Sequence, residues 1–299
     1  MPISLPPISR RHFLTGSLAA GASILVHGAS RAAAPADPHR FALFSDTHIA
    51  EDQSVISRNT NMAQNLAQAV KEVQSLDVPP ASVLVDGDCA FLSGTRGDYA
   101  TLVELLRPLR EGGVPVHLAL GNHDHRGRFW EALPREADKP PAVAEKHVLV
   151  IESPRANFVL LDSLDETNKT PGVLGETQLA WLGKKLDEHA GKPALVFVHH
   201  NPDDKPKPSG LTETKALLDL LVPRKHVKAL VFGHTHNWAI TEREGLHLVN
   251  LPPVAYPFAA GKPNGWVDLK LAERGAVMEL HCIDPQHAQH GQTVELVWR

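Results

Sequence analysis

An α/β fold with mostly parallel strands, covered on both faces, is what the sequence predicts. Two observations carry the prediction. Short apolar runs alternate with amphipathic helical segments from Phe41 to His236, and after Trp238 the helices drop out, leaving short strands that suit a second sheet packed on the first. The chain of 299 residues is roughly two average domains long, but α/β units of this size are often one. Residues 37–299 read as one domain, because the proline-rich loops at 202–208 and 252–263 are too short to be linkers.

The leading residues 1–36 stand outside that pattern. Arg10 and Arg11 precede a modest apolar run from Phe13 to Val26, and small residues follow, which are the three regions of an export signal. The order Ser9-Arg10-Arg11-His12-Phe13-Leu14 resembles the twin-arginine motif, with cleavage expected after Ala34 or Ala36. The expectation is a periplasmic or extracellular protein that meets the twin-arginine export machinery and keeps no stable membrane anchor after cleavage. No stretch is long enough to span a bilayer.

The first strand of the domain is Arg40 to Asp46, RFALFSD. A helix follows over Asn61 to Leu76, with Met62, Leu66, Ala69, Val70 and Val73 at helical spacing. Ser82 to Asp88 is a second buried strand. Asp98 to Gly113 is a helix with Asp98 as N-cap and Gly112 as its stop. Val114 to Asp124 and Asn157 to Ser163 read as further strands, and Gly175 to Gly191 as another amphipathic helix. Pro193 to His200 and His226 to His236 complete the series. The late strands are Leu246 to Asn250, Gly265 to Ala272 and Ala276 to Cys282. Cys89 and Cys282 are the only cysteines and read as two free, packed thiols.

The polar residues collect where the apolar runs stop. The strand ends carry Asp46-Thr47-His48, Asp86-Gly87-Asp88, Gly121-Asn122-His123-Asp124, His199-His200-Asn201-Pro202 and Gly233-His234-Thr235-His236. Alone, each is an ordinary cap, turn residue or core histidine. Together, in a sheet whose ligands bind at the carboxyl ends of strands, they deliver Asp, His and Asn to one rim. In extended chain, residues i and i+2 point to the same side, so His234 and His236 would face one pocket. Eighteen histidines against two tyrosines point the same way, toward metal. Carboxylates, imidazoles and an amide oxygen without thiolate suit Mn, Fe or Zn. Such a set is too large for one ion and sufficient for two divalent or trivalent ions bridged by one carboxylate. Ions about 3.5–4 Å apart can bind phosphate oxygens and generate a hydroxide at neutral pH. The net charge of −4 gives no sign of a nucleic-acid polymer as partner.

These blocks, in this order, resemble the calcineurin-like metallophosphoesterases, whose pattern is D-x-H, G-D, G-N-H-[DE], a strand-end H, and G-H-x-H. The resemblance spans Phe41 to His236 and includes cyclic-nucleotide phosphodiesterase-like members. It implies a four-layer α/β/β/α sandwich of two mixed sheets flanked by helices, and phosphoester hydrolysis at a dinuclear centre. By position, it implies that Asp46, His48 and His236 hold one metal, that Asn122, His199 and His234 hold the other, and that Asp88 bridges. His123 would aid the leaving group, and Asp124 would orient His123. His200 is the alternative to His199. One departure stands out: where family members often carry Asn or Asp a few residues after G-D, this chain has GDCAFLSG.

For the substrate, His125, Arg126 and Arg128 are placed to meet a phosphate, and Phe129 or Trp130 to stack on a base, unless the arginines are solvated and the aromatics are core. Tyr256 and Phe258, in a loop resembling the one that overhangs the site in cyclic-nucleotide phosphodiesterase-like members, are further candidates. The expectation is a small phosphodiester or phosphomonoester. The alternatives are a hydrolase of pyrophosphate bonds in nucleotide diphospho compounds and a non-catalytic metal- or phosphate-binding protein of the same fold.

Overall fold

The computed structural model describes residues 4–8, 35–133 and 141–299. Of the expected export segment, residues 1–36, residues 1–3 and 9–34 lie outside the described residues. Two sheets face each other. The first contains β1 (Ser4–Leu5), β2 (Asp37–Phe44), β5 (Pro80–Val85), β6 (Val116–Leu118), β13 (Gly265–Ala272), β14 (Gly275–Cys282) and β15 (Thr293–Val297), in the order β1-β6-β5-β2-β13-β14-β15. The second contains β7 (Leu149–Glu152), β8 (Asn157–Leu160), β9 (Ala194–Phe197), β10 (Val227–Phe232), β11 (Ala239–Arg243) and β12 (Leu246–Asn250), in the order β11-β12-β10-β9-β8-β7. A two-residue-strand hairpin, β3 (Ile56–Ser57) and β4 (Thr60–Asn61), stands apart.

Alternation of side chains along each strand builds three cores and so four layers. On β2, Phe41 and Leu43 point between the sheets, where they meet Phe158, Leu195 and Phe197, while Ala42 and Phe44 point outward. The outward face is covered by α1 (Met62–Gln74) and α2 (Arg96–Glu111) through Leu66, Val70, Leu102 and Leu106. On the far side, Val196 and Leu230 are covered by α4 (Glu176–Glu188) and α5 (Thr214–Leu221) through Leu182, Leu186, Leu217 and Leu221. The short α3 (Arg126–Ala132) joins the first of these cores through Phe129.

Three expectations change. The strands after Trp238 do not form a sheet of their own. β13 pairs antiparallel with β2 and extends the first sheet, whereas β11 and β12 extend the second. The antiparallel pairs β13–β2 and β11–β12 need no helical crossover, and β12 reaches its parallel place beside β10 by way of β11. Asp98 is not the N-cap of α2. Thr95 is, and Asp98, three residues on, returns a bond to the Thr95 amide in a capping box. α4 ends at Glu188, short of Gly191. Cys89 and Cys282 are both buried and unpaired, in different cores. Among the described residues, no helix is long and apolar enough to cross a membrane.

Candidate metal centre

The carboxyl ends of β2, β5 and β6 in one sheet, and of β9 and β10 in the other, open on the same place. Asp46, His48, Asp88 and His236 form one group able to hold an ion, and Asp88, His199 and His234 form a second, with Asp88 common to both. Asp88 Oδ2 lies 3.3 Å from His199 Nε2 and 3.7 Å from His48 Nε2. Asp46 Oδ1 lies 3.3 Å from His236 Nε2 and 3.9 Å from His199 Nε2. Asn122 stands on the loop whose next amide, that of His123, donates to Asp88 Oδ1 at 2.8 Å. The Asn122 side-chain oxygen is buried without a hydrogen-bond partner.

Local backbone places these groups in a way that extended chain does not. Asp46, His48, Asp88, His234 and His236 all have positive φ, at 51°, 48°, 45°, 66° and 50°. His234 and His236 therefore do not share a side through strand alternation. They lie beyond β10, in left-handed backbone that turns each ring inward. Gly87 (φ 77°) and Gly233 make room for the turns: a Cβ at Gly87 would meet the His199 ring at 2.6 Å, and one at Gly233 would meet Ser45 Oγ at 2.0 Å.

Backbone carbonyls then set which nitrogen of each histidine faces the pocket. Nδ1 of His199 bonds the Asp86 carbonyl at 2.8 Å, Nδ1 of His236 that of Tyr256 at 2.5 Å, and Nδ1 of His48 that of Phe91 at 3.4 Å. For His234 the bonded atom is Nε2, with the Ser209 carbonyl at 3.1 Å. A carbonyl only accepts, so those nitrogens carry the proton and the opposite ones present lone pairs. His48 Nε2 and His236 Nε2 face each other at 3.0 Å. Two lone pairs at that distance repel, and a shared cation removes the repulsion. His199 Nε2 and Asn122 Oδ1 are likewise buried without partners. The residues fit metal ions.

The charge balance agrees. Burial alone would raise Asp46, yet His236 and His199 hold it well below the usual carboxylate range. Asp88 behaves alike, with His199 outweighing burial. Burial takes His48 and His234 down to about 4, which suits neutral ligands. Burial would also lower His199, but Asp88 beside it raises the ring to about 10, so its Nε2 sits where the pocket favours a positive charge. Asp86 lies outside both groups. Burial pushes it up to about 8, and its bond to the site is through its carbonyl.

The other expected residues divide. His200 is not in either group: its Nδ1 bonds Ser163 Oγ at 2.8 Å and its ring packs on His234. His123 stands at the mouth, its ring 5.2 Å from that of His48 and its Nδ1 bonded to the Leu92 carbonyl at 3.0 Å. Asp124 does not orient this ring by contact. Its carboxylate accepts from the amides of Gly121, Cys89 and Ala90 and from the Tyr99 hydroxyl. That ties the Asp88 loop to the His123 loop. Replacing Asp124 by Ala orphans buried donors, each costing about 1–3 kcal/mol. Urea unfolding should show a loss of roughly 3 kcal/mol or more, with metal content falling in parallel.

His125 and Arg126 are engaged away from the two ligand groups. His125 caps α3, its Nδ1 accepting from the Arg128 amide at 3.3 Å, and Arg126 is spent on Asp162 at 2.7 and 3.0 Å and on the Leu164 carbonyl. Arg128 reaches the carbonyls of Ser93 and Gly94. Phe129 is core, and the Trp130 indole bonds His147. Tyr256 does reach the site: its ring stacks on His48 at 5.3 Å and its carbonyl holds His236. Phe258 stacks on His236 at 3.9 Å.

Comparison with known proteins agrees with this arrangement. A family model described as calcineurin-like phosphoesterase matches residues 39–238. The 3',5'-cyclic adenosine monophosphate phosphodiesterase CpdA of Haemophilus influenzae is 28% identical over 249 residues, 78% of this chain and 85% of that protein. A probable glycerophosphodiester phosphodiesterase GpdQ of Arcobacter nitrofigilis is 29% identical over 204 residues, 66% of this chain and 71% of its own. Among solved structures, a dimetal phosphatase from Danio rerio superposes with a TM-score of 0.65 at 18% identity, over 88% of this chain and all of that one, and shows a common fold.

Proposed function

Given that the chain belongs to the calcineurin-like phosphoesterase family and hydrolyses phosphoesters, we propose that it is a phosphodiesterase of small diesters, with two ions drawn from Mn, Fe and Zn. The observation that carries the two-ion reading is Asp88, the one carboxylate common to both ligand groups. Asp46, His48 and His236 hold one ion, and Asn122, His199 and His234 the other. When bound, the ions polarise the phosphoryl oxygens and activate water. The chain's own residues do the rest. The imidazoles, each with one ring nitrogen held by a carbonyl, leave the two carboxylates as the only anionic ligands, so an anionic diester is drawn in rather than repelled. His123, held at Nδ1 by the Leu92 carbonyl, serves the leaving oxygen from Nε2.

The diester reading is supported by the activities named for the relatives and, among the described residues, by the absence of a paired arginine clamp for a dianion: Arg126 is tied to Asp162, and Arg128 to carbonyls. The test compares purified, metal-loaded protein on 3',5'-cyclic AMP, a glycerophosphodiester and p-nitrophenyl phosphate. kcat/KM should favour a diester over the monoester by at least about tenfold, and a preference for the monoester sinks this reading.

We also propose export through the twin-arginine route to the periplasm, on the strength of Ser9 to Leu14 and the small residues up to Ala36. Cleavage there would also remove β1, whose Leu5 is buried against the first core. Replacing Arg10 and Arg11 together by Lys should leave the protein in the cytosolic fraction at precursor mass. Unchanged fractionation and processing would refute the route.

A further inference from the structure

The β3–β4 hairpin brings a charge to the metal centre that the ligand chemistry does not use. Its two-residue turn is Arg58-Asn59, both in left-handed backbone (φ 50° and 62°). Such turns favour Asn and Gly, and an arginine there is held against its own preference. The Arg58 guanidinium lies 4.9 Å from the centroid of Phe258 and 5.8 Å from that of Tyr256. Phe258 in turn stacks on the ligand His236, with an interplanar angle of 11°. A column therefore runs from His236 through Phe258 to Arg58. Arg58 is exposed, and no carboxylate or carbonyl among the described residues engages its guanidinium. Phe258 keeps 52% of its surface exposed, which is uncommon for a phenylalanine packed on a buried ring.

An unpaired guanidinium on an exposed aromatic ring, one ring away from the reacting centre, has a flat open face and a fork of donors in its plane. A glycerol group offers neither a flat face to stack nor an acceptor edge to meet the fork. A nucleobase offers both. We infer that Arg58 and Phe258 form the subsite for the base of a nucleotide diester, and that Arg58 is the residue that sets preference for nucleotides over glycerol diesters. This rests on the diesterase reading above. His236 stays a ligand, and Arg58 acts on binding of the substrate's non-reacting end.

The experiment measures kcat/KM for 3',5'-cyclic AMP and for glycerophosphoethanolamine with the metal-loaded wild type, Arg58→Ala and Arg58→Lys. Calorimetric binding of 5'-AMP and ribose 5-phosphate is measured on the same proteins. The cyclic AMP to glycerophosphoethanolamine ratio should fall by about tenfold to a hundredfold in Arg58→Ala, chiefly through KM, and Arg58→Lys should not restore it, because an ammonium has charge without a plane. Wild type should bind 5'-AMP more tightly than ribose 5-phosphate, and Arg58→Ala should lose that margin. An unchanged ratio, an equal loss on both substrates, or full rescue by lysine overturns the inference. If no diester is turned over, the diesterase reading fails. The binding margin still judges the subsite, because equal affinity of wild type for 5'-AMP and ribose 5-phosphate overturns it independently.

Discussion

Asp88→Asn abolishes hydrolysis of every substrate, by a factor on the order of 10³ or more. Asp88 is the residue that joins the two ligand groups. Asp88 Oδ2 faces His199 and His48, one from each ligand group, while Oδ1 takes the His123 amide. An asparagine has the same shape but loses the negative charge, and it turns either a donor group toward the ligand nitrogens or an amide toward the His123 N–H. Stabilisation from a metal centre amounts to several kcal/mol, and each ~1.4 kcal/mol is a factor of ten in rate. The check pairs turnover with elemental analysis: metal per chain should drop from two toward one or none. A variant that keeps two ions and wild-type turnover would show that Asp88 does not bridge. The fold itself should survive, because Asp124 and the backbone ladder hold the Asp88 loop from behind.

His123→Ala lowers kcat by about 10²–10⁴, with metal content unchanged, since neither ligand group includes His123. The size of the loss should depend on the leaving group. An alkoxide such as a ribose oxygen needs a proton as it departs. A nitrophenolate leaves without one. If His123 supplies the proton from Nε2, the loss is large on 3',5'-cyclic AMP and small on bis(p-nitrophenyl) phosphate. If it only stabilises charge on the phosphoryl group, the loss is similar on both. Turnover on the two substrates, with metal analysis alongside, separates the roles. A variant that retains full kcat on cyclic AMP removes His123 from the reaction.

The ligand blocks were legible because each is a polar interruption of an apolar run, and residue type there carries chemistry. The means by which they converge was not. The pairing of His234 with His236 looked like strand alternation and is left-handed backbone, which only a conformation reveals. The carbonyls of Asp86, Phe91, Tyr256 and Ser209 that fix the ring nitrogens carry no side-chain signature. Arg126 could not be separated from a substrate arginine in sequence, because its partner Asp162 lies 36 residues away and meets it only in the folded chain. The β13 pairing with β2 is non-local in the same sense, with Lys270 opposite Arg40. The β3–β4 hairpin has strands of two residues, too short to show any period. α5 did have a signal, in Leu217, Leu218 and Leu221 at helical spacing, on a segment too short to stand out.

The five left-handed positions around the centre bear on how this protein can change. Each non-glycine residue in that conformation sits roughly 1–2 kcal/mol above its relaxed state, so the metal pocket is a loaded spring held shut by the two sheets behind it. At these positions heat tolerance and chemistry are opposed, since glycine there would relax the backbone and empty the pocket in one step. Selection for robustness alone would erode the centre from within, and turnover is what keeps these aspartates and histidines in place.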